Sequence, residues 1–347
     1  MRLLLLGGTE FVGRAVAEAA LGRGWDVTVF HRGRHAPPAG VRSLHGDRTA
    51  PDGLAALAGT GGEEGREGRG EGGWDAVVDT WSAAPHVVRD AARLLRGRAG
   101  RYVYVSSSSV YTWPRAVGAD EDAPVVEGAA ADAGQTDYAR DKRGGELAAV
   151  ESFGADRSLL VRAGLILGPY ENIGRLPWWL NRIARGGPVL ASGPRDLPLQ
   201  YIDVRDLAEW ILDGVERGSS GPYNLVGPPG HATMGTLLDA CMRATGSTAD
   251  LRWTDPDAIL DAGIEPWLHL PVWLPPASEA YGALHTADIS RALATGLRTR
   301  PVDQTVTDTW TWLQTLAGTA PHRPDRPEVG LDPDLETRVL TETQGTR

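Results

Sequence analysis

The chain opens MRLLLLGGTEFVGRA, a short apolar run closed by two glycines and followed by a segment of helical periodicity. Four consecutive leucines suit a strand buried on both faces, and such strands belong to parallel sheets covered by helices. Gly7, Gly8 and Gly13 let the backbone turn tightly and start a helix close to that strand. A strand, a glycine turn and a helix N-terminus together form a cradle for a pyrophosphate, because free N–H groups and the helix dipole favour an anion. One residue resists this reading. Where a dinucleotide turn places its middle glycine, the chain carries Glu10, a carboxylate.

The rest of the chain continues the alternation. Residues 10–23 read as a helix with Val12, Val16, Ala19 and Ala20 on one face, and 25–30, 74–81 and 101–107 as further strands. Helices are predicted at 85–97 and 136–152, and a strand at 158–167. This order predicts an α/β fold, a parallel sheet covered by helices on both faces with right-handed crossovers. Beyond 167 proline and tryptophan become frequent, and eight of the twelve tryptophans lie at or after Trp178. The predicted division is a nucleotide-binding domain over 1–167 and mostly a second lobe over 168–347, with about 199–227 returning to the sheet. Residues 59–73 hold eight glycines and four glutamates and read as a mobile surface loop. The tail after about 318, polar and proline-containing, is expected to be loosely held.

Composition narrows the partners. A net charge of −10 and a pI near 5.3 speak against nucleic acid or an anionic membrane. No apolar stretch approaches the ~20 residues of a membrane span, and the leucine run is too short for a signal-peptide core. Cys241 is the only cysteine, so no internal disulfide forms, which fits the cytoplasm. The histidines show no metal-ligand spacing, so no metal is expected. Nothing in the sequence fixes an oligomeric state.

Of 35 basic residues only Lys142 is a lysine, and it falls in TDYARDKRGGE, four residues after Tyr138. On a helix the two share a face. A tyrosine is a poor acid–base near pH 7, its reference pKa being about 10, and a neighbouring ammonium stabilises its anion. The lone lysine therefore marks a candidate general acid/base. A second constellation, YVYVSSSSVYT, carries a strand edge into four serines, at the end of the sheet where such folds place ligands. A third, VFHRGRH, closes the second strand. An acid there would hold the ribose hydroxyls of NAD, whereas His31, Arg32 and Arg34 suit the 2′-phosphate of NADP. The preferred cofactor is NADP(H), with NAD(H) as the alternative.

Taken in order over about residues 1–315, GGTEFVG, HGDR, YVSSSSVY, YARDK, VRAGLILGP and YIDVRDLAEW resemble the extended or atypical short-chain dehydrogenases/reductases, the NAD-dependent epimerase/dehydratase-like group. The resemblance implies a Rossmann doubly wound parallel sheet, with 1–167 the NAD(P)-binding domain and 168–347 mainly a smaller C-terminal substrate-binding lobe. It implies a catalytic Ser107, four before Tyr111, a proton-transferring Tyr138 and a Lys142 that binds the nicotinamide ribose. It implies cofactor contacts from Gly7, Thr9, Glu10, Phe11, Val12 and Gly13 in the turn, and from Asp47 and Arg48 near the adenine. Thr80, Trp81, Ser82 and Ser106 would line the cofactor, and Ala163, Gly164 and Ile166 would pass the nicotinamide. Ser109 would meet the substrate. Glu10, His31 and Ala163 depart from the group's usual residues.

Three functions follow. The first is a ketoreductase that exchanges NADP(H) at each turnover. The second is a nucleotide-sugar epimerase that retains NAD; dehydration is disfavoured because Ser108 and Ser109 stand where an acidic pair would serve elimination. The third is a non-catalytic NADP sensor, which has no need of Ser107, Tyr138 and Lys142 together. Trp178 and Trp179, with Trp267 and Trp273, are candidates to line a pocket for an aromatic or polyketide-like ketone. Arg175, Arg182 and Arg195 are the candidates for a sugar-nucleotide diphosphate.

Overall fold

A computed structural model describes residues 1–59, 73–316 and 320–344; the expected glycine-rich loop at 59–73 lies almost wholly outside the described residues. In chain order the central elements are β1 (Arg2–Leu6), α1 (Phe11–Gly22), β2 (Asp26–His31), β3 (Arg42–His45), α2 (Ala55–Ala58), β4 (Trp74–Asp79), α3 (Pro85–Leu95), β5 (Ala99–Ser107), α4 (Tyr138–Phe153) and β6 (Ser158–Ala163). A further strand, Gly221–Leu225, completes a seven-stranded sheet whose spatial order is Gly221–Leu225, β6, β5, β4, β1, β2, β3. Every pairing is parallel. This is the Rossmann arrangement, with the chain reversing direction across the sheet beside β1.

The four leucines show why the sheet needs two covers. Leu3 and Leu5 pack with α1 and with α6 (Val204–Arg217), whereas Leu4 and Leu6 pack with α3 and α4. Successive strand residues face opposite ways, so an unbroken apolar run fills both cores. Gly145 lets α4 press on the sheet, since a Cβ there would lie 2.4 Å from the Tyr104 hydroxyl. The edges are poor pairing surfaces. β3 has four residues, three of them exposed. The opposite edge carries Pro222, which has no N–H and whose carbonyl accepts from Arg291, and helix Ser290–Ala294 lies along it.

The second lobe builds its own core around α5 (Arg175–Ala184), helices Met234–Thr245 and Val302–Gln314, and the paired strands Pro188–Ser192 and Asp250–Thr254. Two expectations change here. Trp179 is not a pocket wall: it is fully buried, as is Trp273, and their indole N–H groups donate to the carbonyls of Pro271 and Gly193. Nor is the tail loose over its described residues. Leu331, Val339 and Leu340 bury themselves in the lobe, and Glu336 on helix Pro333–Gln344 accepts from Arg182 Nε at 2.7 Å and from Leu190 N at 3.0 Å. A few apolar side chains and one buried ion pair outweigh the polar composition.

Candidate functional site

Gly7 holds φ at +94°, and a Cβ on it would meet Thr80 Oγ1 at 2.6 Å. On Gly13 a Cβ would lie 1.8 Å from the Gly7 carbonyl oxygen. Only glycine allows α1 to start this close to the turn, and Thr80 Oγ1 fixes the turn by donating to the carbonyls of Leu6 and Gly7. No side chain caps α1, so its first N–H groups are left for an anionic ligand. Thr9 is partly buried, and Phe11 and Val12 anchor the helix in the core below. Glu10 does not oppose this cradle. Its carboxylate turns to the second lobe, accepting from Asn172 Nδ2 at 3.2 Å with His35 Nε2 at 3.6 Å.

At the end of β2, His31 is buried against His45, with ring centroids 4.6 Å apart. Burial and the charge of His45 lower its pKa. Its Nδ1 accepts from Gly33 N, while the buried Nε2 has no partner among the described residues. Arg32 and Arg34 are exposed and make no salt bridge with a described residue. Asp47 is held below the usual carboxylate range, first by hydrogen bonds from Thr49 and then by the charges of Arg32 and Arg34.

Arg48 grips Asp79 with both terminal nitrogens at 2.6 and 2.7 Å and also donates to the Val87 carbonyl, so its guanidinium serves the fold. Asp79 is fully buried and additionally accepts from the Tyr102 hydroxyl and from Trp81 N. The pair thereby anchors the end of β4 and the Thr80–Ser82 segment that follows it.

Lys142 is 3% exposed and donates to the carbonyls of Trp81 and Val105 at 2.6 and 2.7 Å. Burial pushes its pKa down to about 7, and Arg323 and Arg326 contribute to that shift. Tyr138 is the first residue of α4, partly exposed, and its hydroxyl has no partner among the described residues. Ser107 Oγ accepts from Ser109 N at 3.1 Å and lies 3.2 Å from Ser109 Oγ, at the entry to a 3-10 turn that packs on α4. Ser106 Oγ is buried without a described partner. Ala163 ends β6, Gly164 N bonds the Leu225 carbonyl, and Ile166 begins the following short strand. Trp178 lies elsewhere, in a surface groove of about 530 Å³ shared with Arg182 and Leu331 that includes none of Ser107, Tyr138 and Lys142.

Sequence reasoning missed Glu171, Asn172, Arg323 and Arg326. Glu171 is fully buried, accepts from the backbone N–H of Arg175 and Leu176, and has its pKa raised to about 7 by burial. Its place just ahead of a helix start is a readable signal. Arg323 and Arg326 sit in the tail, and nothing local marks their destination. Arg326 lies over the Tyr138 ring at 4.8 Å, and Arg323 reaches Ser82 Oγ at 3.4 Å.

A model of the NAD-dependent epimerase/dehydratase family matches residues 3–226. The chain belongs to that family. Structures of similar fold include the Bordetella bronchiseptica enzyme WbmH with NAD+, at 17% identity, TM-score 0.66 and coverage of 91% of this chain and 99% of that one. UDP-glucuronic acid 4-epimerase from Bacillus cereus with NAD gives 15% identity and TM-score 0.62, covering 92% and 100%. A human epimerase family protein with NADPH gives 20% identity and TM-score 0.56, covering 90% and 99%. No curated protein matches the chain. Family membership places the chain among nicotinamide-dependent enzymes, as the motifs implied. Among the described residues no helix is long and apolar enough to cross a membrane, and no side-chain cluster could hold a metal ion.

Proposed function

We propose that this family member is an NADP(H)-dependent ketoreductase, interconverting a carbonyl and a secondary alcohol. The observation that carries the preference for NADP is the end of β2, where buried His31 leads into two exposed, unbridged arginines. The glycine cradle and uncapped α1 fit a pyrophosphate, and Arg32 and Arg34 fit a 2′-phosphate. When bound, the cofactor supplies or accepts hydride. Ser107 orients the substrate oxygen, and Tyr138 gives it a proton or takes one. Lys142 keeps an ammonium close to the helix turn that carries Tyr138. The proposed substrate is a small, aromatic or polyketide-like ketone, met by Ser109 and the second lobe. Ser108 and Ser109 offer no acid for elimination.

A nucleotide-sugar epimerase with retained NAD is the second reading, favoured by the family match and by the NAD-bound relatives. Cofactor exchange separates the two. Purified protein is expected to be largely cofactor-free and to oxidise NADPH stoichiometrically with an aromatic ketone. Tyr138→Phe should reduce turnover by ~10²-fold while NADPH affinity stays unchanged. Protein that arrives loaded with NAD and interconverts sugar-nucleotide epimers without net cofactor consumption would establish the second reading instead.

A further inference from the structure

We propose that the C-terminal segment 321–331 belongs to the substrate site, and that Arg326 and Arg175 together seat an oxyanion, a carboxylate or phosphate, carried by the substrate. This rests on Tyr138 being the reacting group. The segment lies outside the residues matched by the family, and it is fixed at both ends of its course. Arg323 N donates to the Asn172 carbonyl at 2.9 Å, Gly330 N to the Leu268 carbonyl at 2.8 Å, and the following helix is locked by Glu336 and Arg182. Between these anchors it passes over Tyr138.

Charge accounting shows what is missing. The Arg175 guanidinium stacks on the Trp267 ring at 4.9 Å and makes no hydrogen bond or salt bridge with a described residue, and its Nε is buried and unpartnered. Arg326 Nε is likewise buried without a hydrogen bond, and its nearest carboxylate, Asp325 at 4.0 Å, is already held by Arg323 at 2.6 Å. Glu171, the acid behind Arg175, directs its two oxygens to backbone N–H groups. Burial lowers the Arg175 pKa, the charge of Glu171 opposes that, and the charge of Arg326 adds to it more weakly. Arg326, over Tyr138, thus keeps one long, shared ion pair, and Arg175 has the charge of Glu171 behind it without a hydrogen bond to it, so both guanidiniums retain donors for an incoming anion. A planar guanidinium fork suits a carboxylate or phosphate, and Trp267 behind it adds an aromatic wall.

The test compares benzoylformate with its neutral amide, benzoylformamide, by calorimetric titration of the full chain in the presence of NADP+. The wild type is expected to bind the acid about tenfold tighter or more, a margin of a single charge-assisted contact. Arg326→Ala should abolish that preference while leaving the amide and NADP+ affinities unchanged, and Arg326→Lys should keep part of it. Inorganic phosphate should compete with the acid. Arg326 is partly exposed, so its variants are not expected to unfold, and a melting curve verifies this. Binding of acid and amide alike, or of neither, overturns the proposal, as does an Arg326→Ala protein that keeps the preference. Tyr138→Phe should retain the preference, so a failure of the ketoreductase reading would appear in NADPH oxidation alone.

Discussion

Replacing Asp79 by alanine removes the single carboxylate that compensates Arg48, whose side chain is 7% exposed. It also strands the Tyr102 hydroxyl and Trp81 N, both of which donate to Asp79. Breaking a buried pair from one side costs about 3–5 kcal/mol, a large part of the roughly 5–15 kcal/mol that holds most domains folded. At roughly 2–4 °C per kcal/mol, a loss of about 4 kcal/mol lowers the melting temperature by about 8–16 °C. Circular dichroism melts give the number directly. The double variant Arg48→Met/Asp79→Leu should recover most of the loss, because the penalty comes from an orphaned charge more than from a lost attraction. The effect is pH-dependent. Burial alone would raise the Asp79 pKa, but Arg48, Tyr102 and Trp81 more than offset this and hold it below the ordinary carboxylate range. The stabilisation is therefore complete above the unfolded pKa of about 4 and disappears as pH falls through the lower native value, so wild-type and Asp79→Ala curves should converge in acid. An Asp79→Ala melt within about 2 °C of wild type, or a double variant no better than the single one, would refute the reasoning.

Two further outcomes bear on the chemistry. Arg32→Ala should weaken NADPH binding about tenfold or more and NADH binding by less than about threefold; equal losses in a fluorescence titration would remove the basis for the NADP preference. Lys142, brought to about pH 7 by burial, carries its proton below that value and loses it above. In the reductive direction kcat/KM, which reports the free enzyme, should therefore decline as pH rises through 7, and a profile flat to pH 9 would show that the ammonium is dispensable.

Much of the fold was legible because its signals are local. The leucine run, the glycines at 7 and 13 and the alternation of strands with helices each act over a few residues, and physical necessity ties each to one geometry. The candidate site was legible where two residues share a helix face, as Tyr138 and Lys142 do. What stayed hidden depends on distance along the chain. Asp79 finds Arg48 across 31 positions, and no period or spacing announces which of many arginines is taken. Glu10 looked like a fault in the turn because its partner, Asn172, is supplied by the other lobe. The tail was misjudged on average polarity, although Leu331, Val339 and Leu340 suffice to dock it.

The blunt edges of the central sheet limit how copies of this chain can meet. With a short, mostly exposed β3 at one side and Pro222, Arg291 and a covering helix at the other, the described margins offer a foreign strand at most a short row of open backbone groups on which to template itself. Self-association by sheet extension, ordered or amyloid-like, is thereby discouraged. An assembly built on helix faces or on the tryptophan-rich lobe, through side chains, escapes that limit.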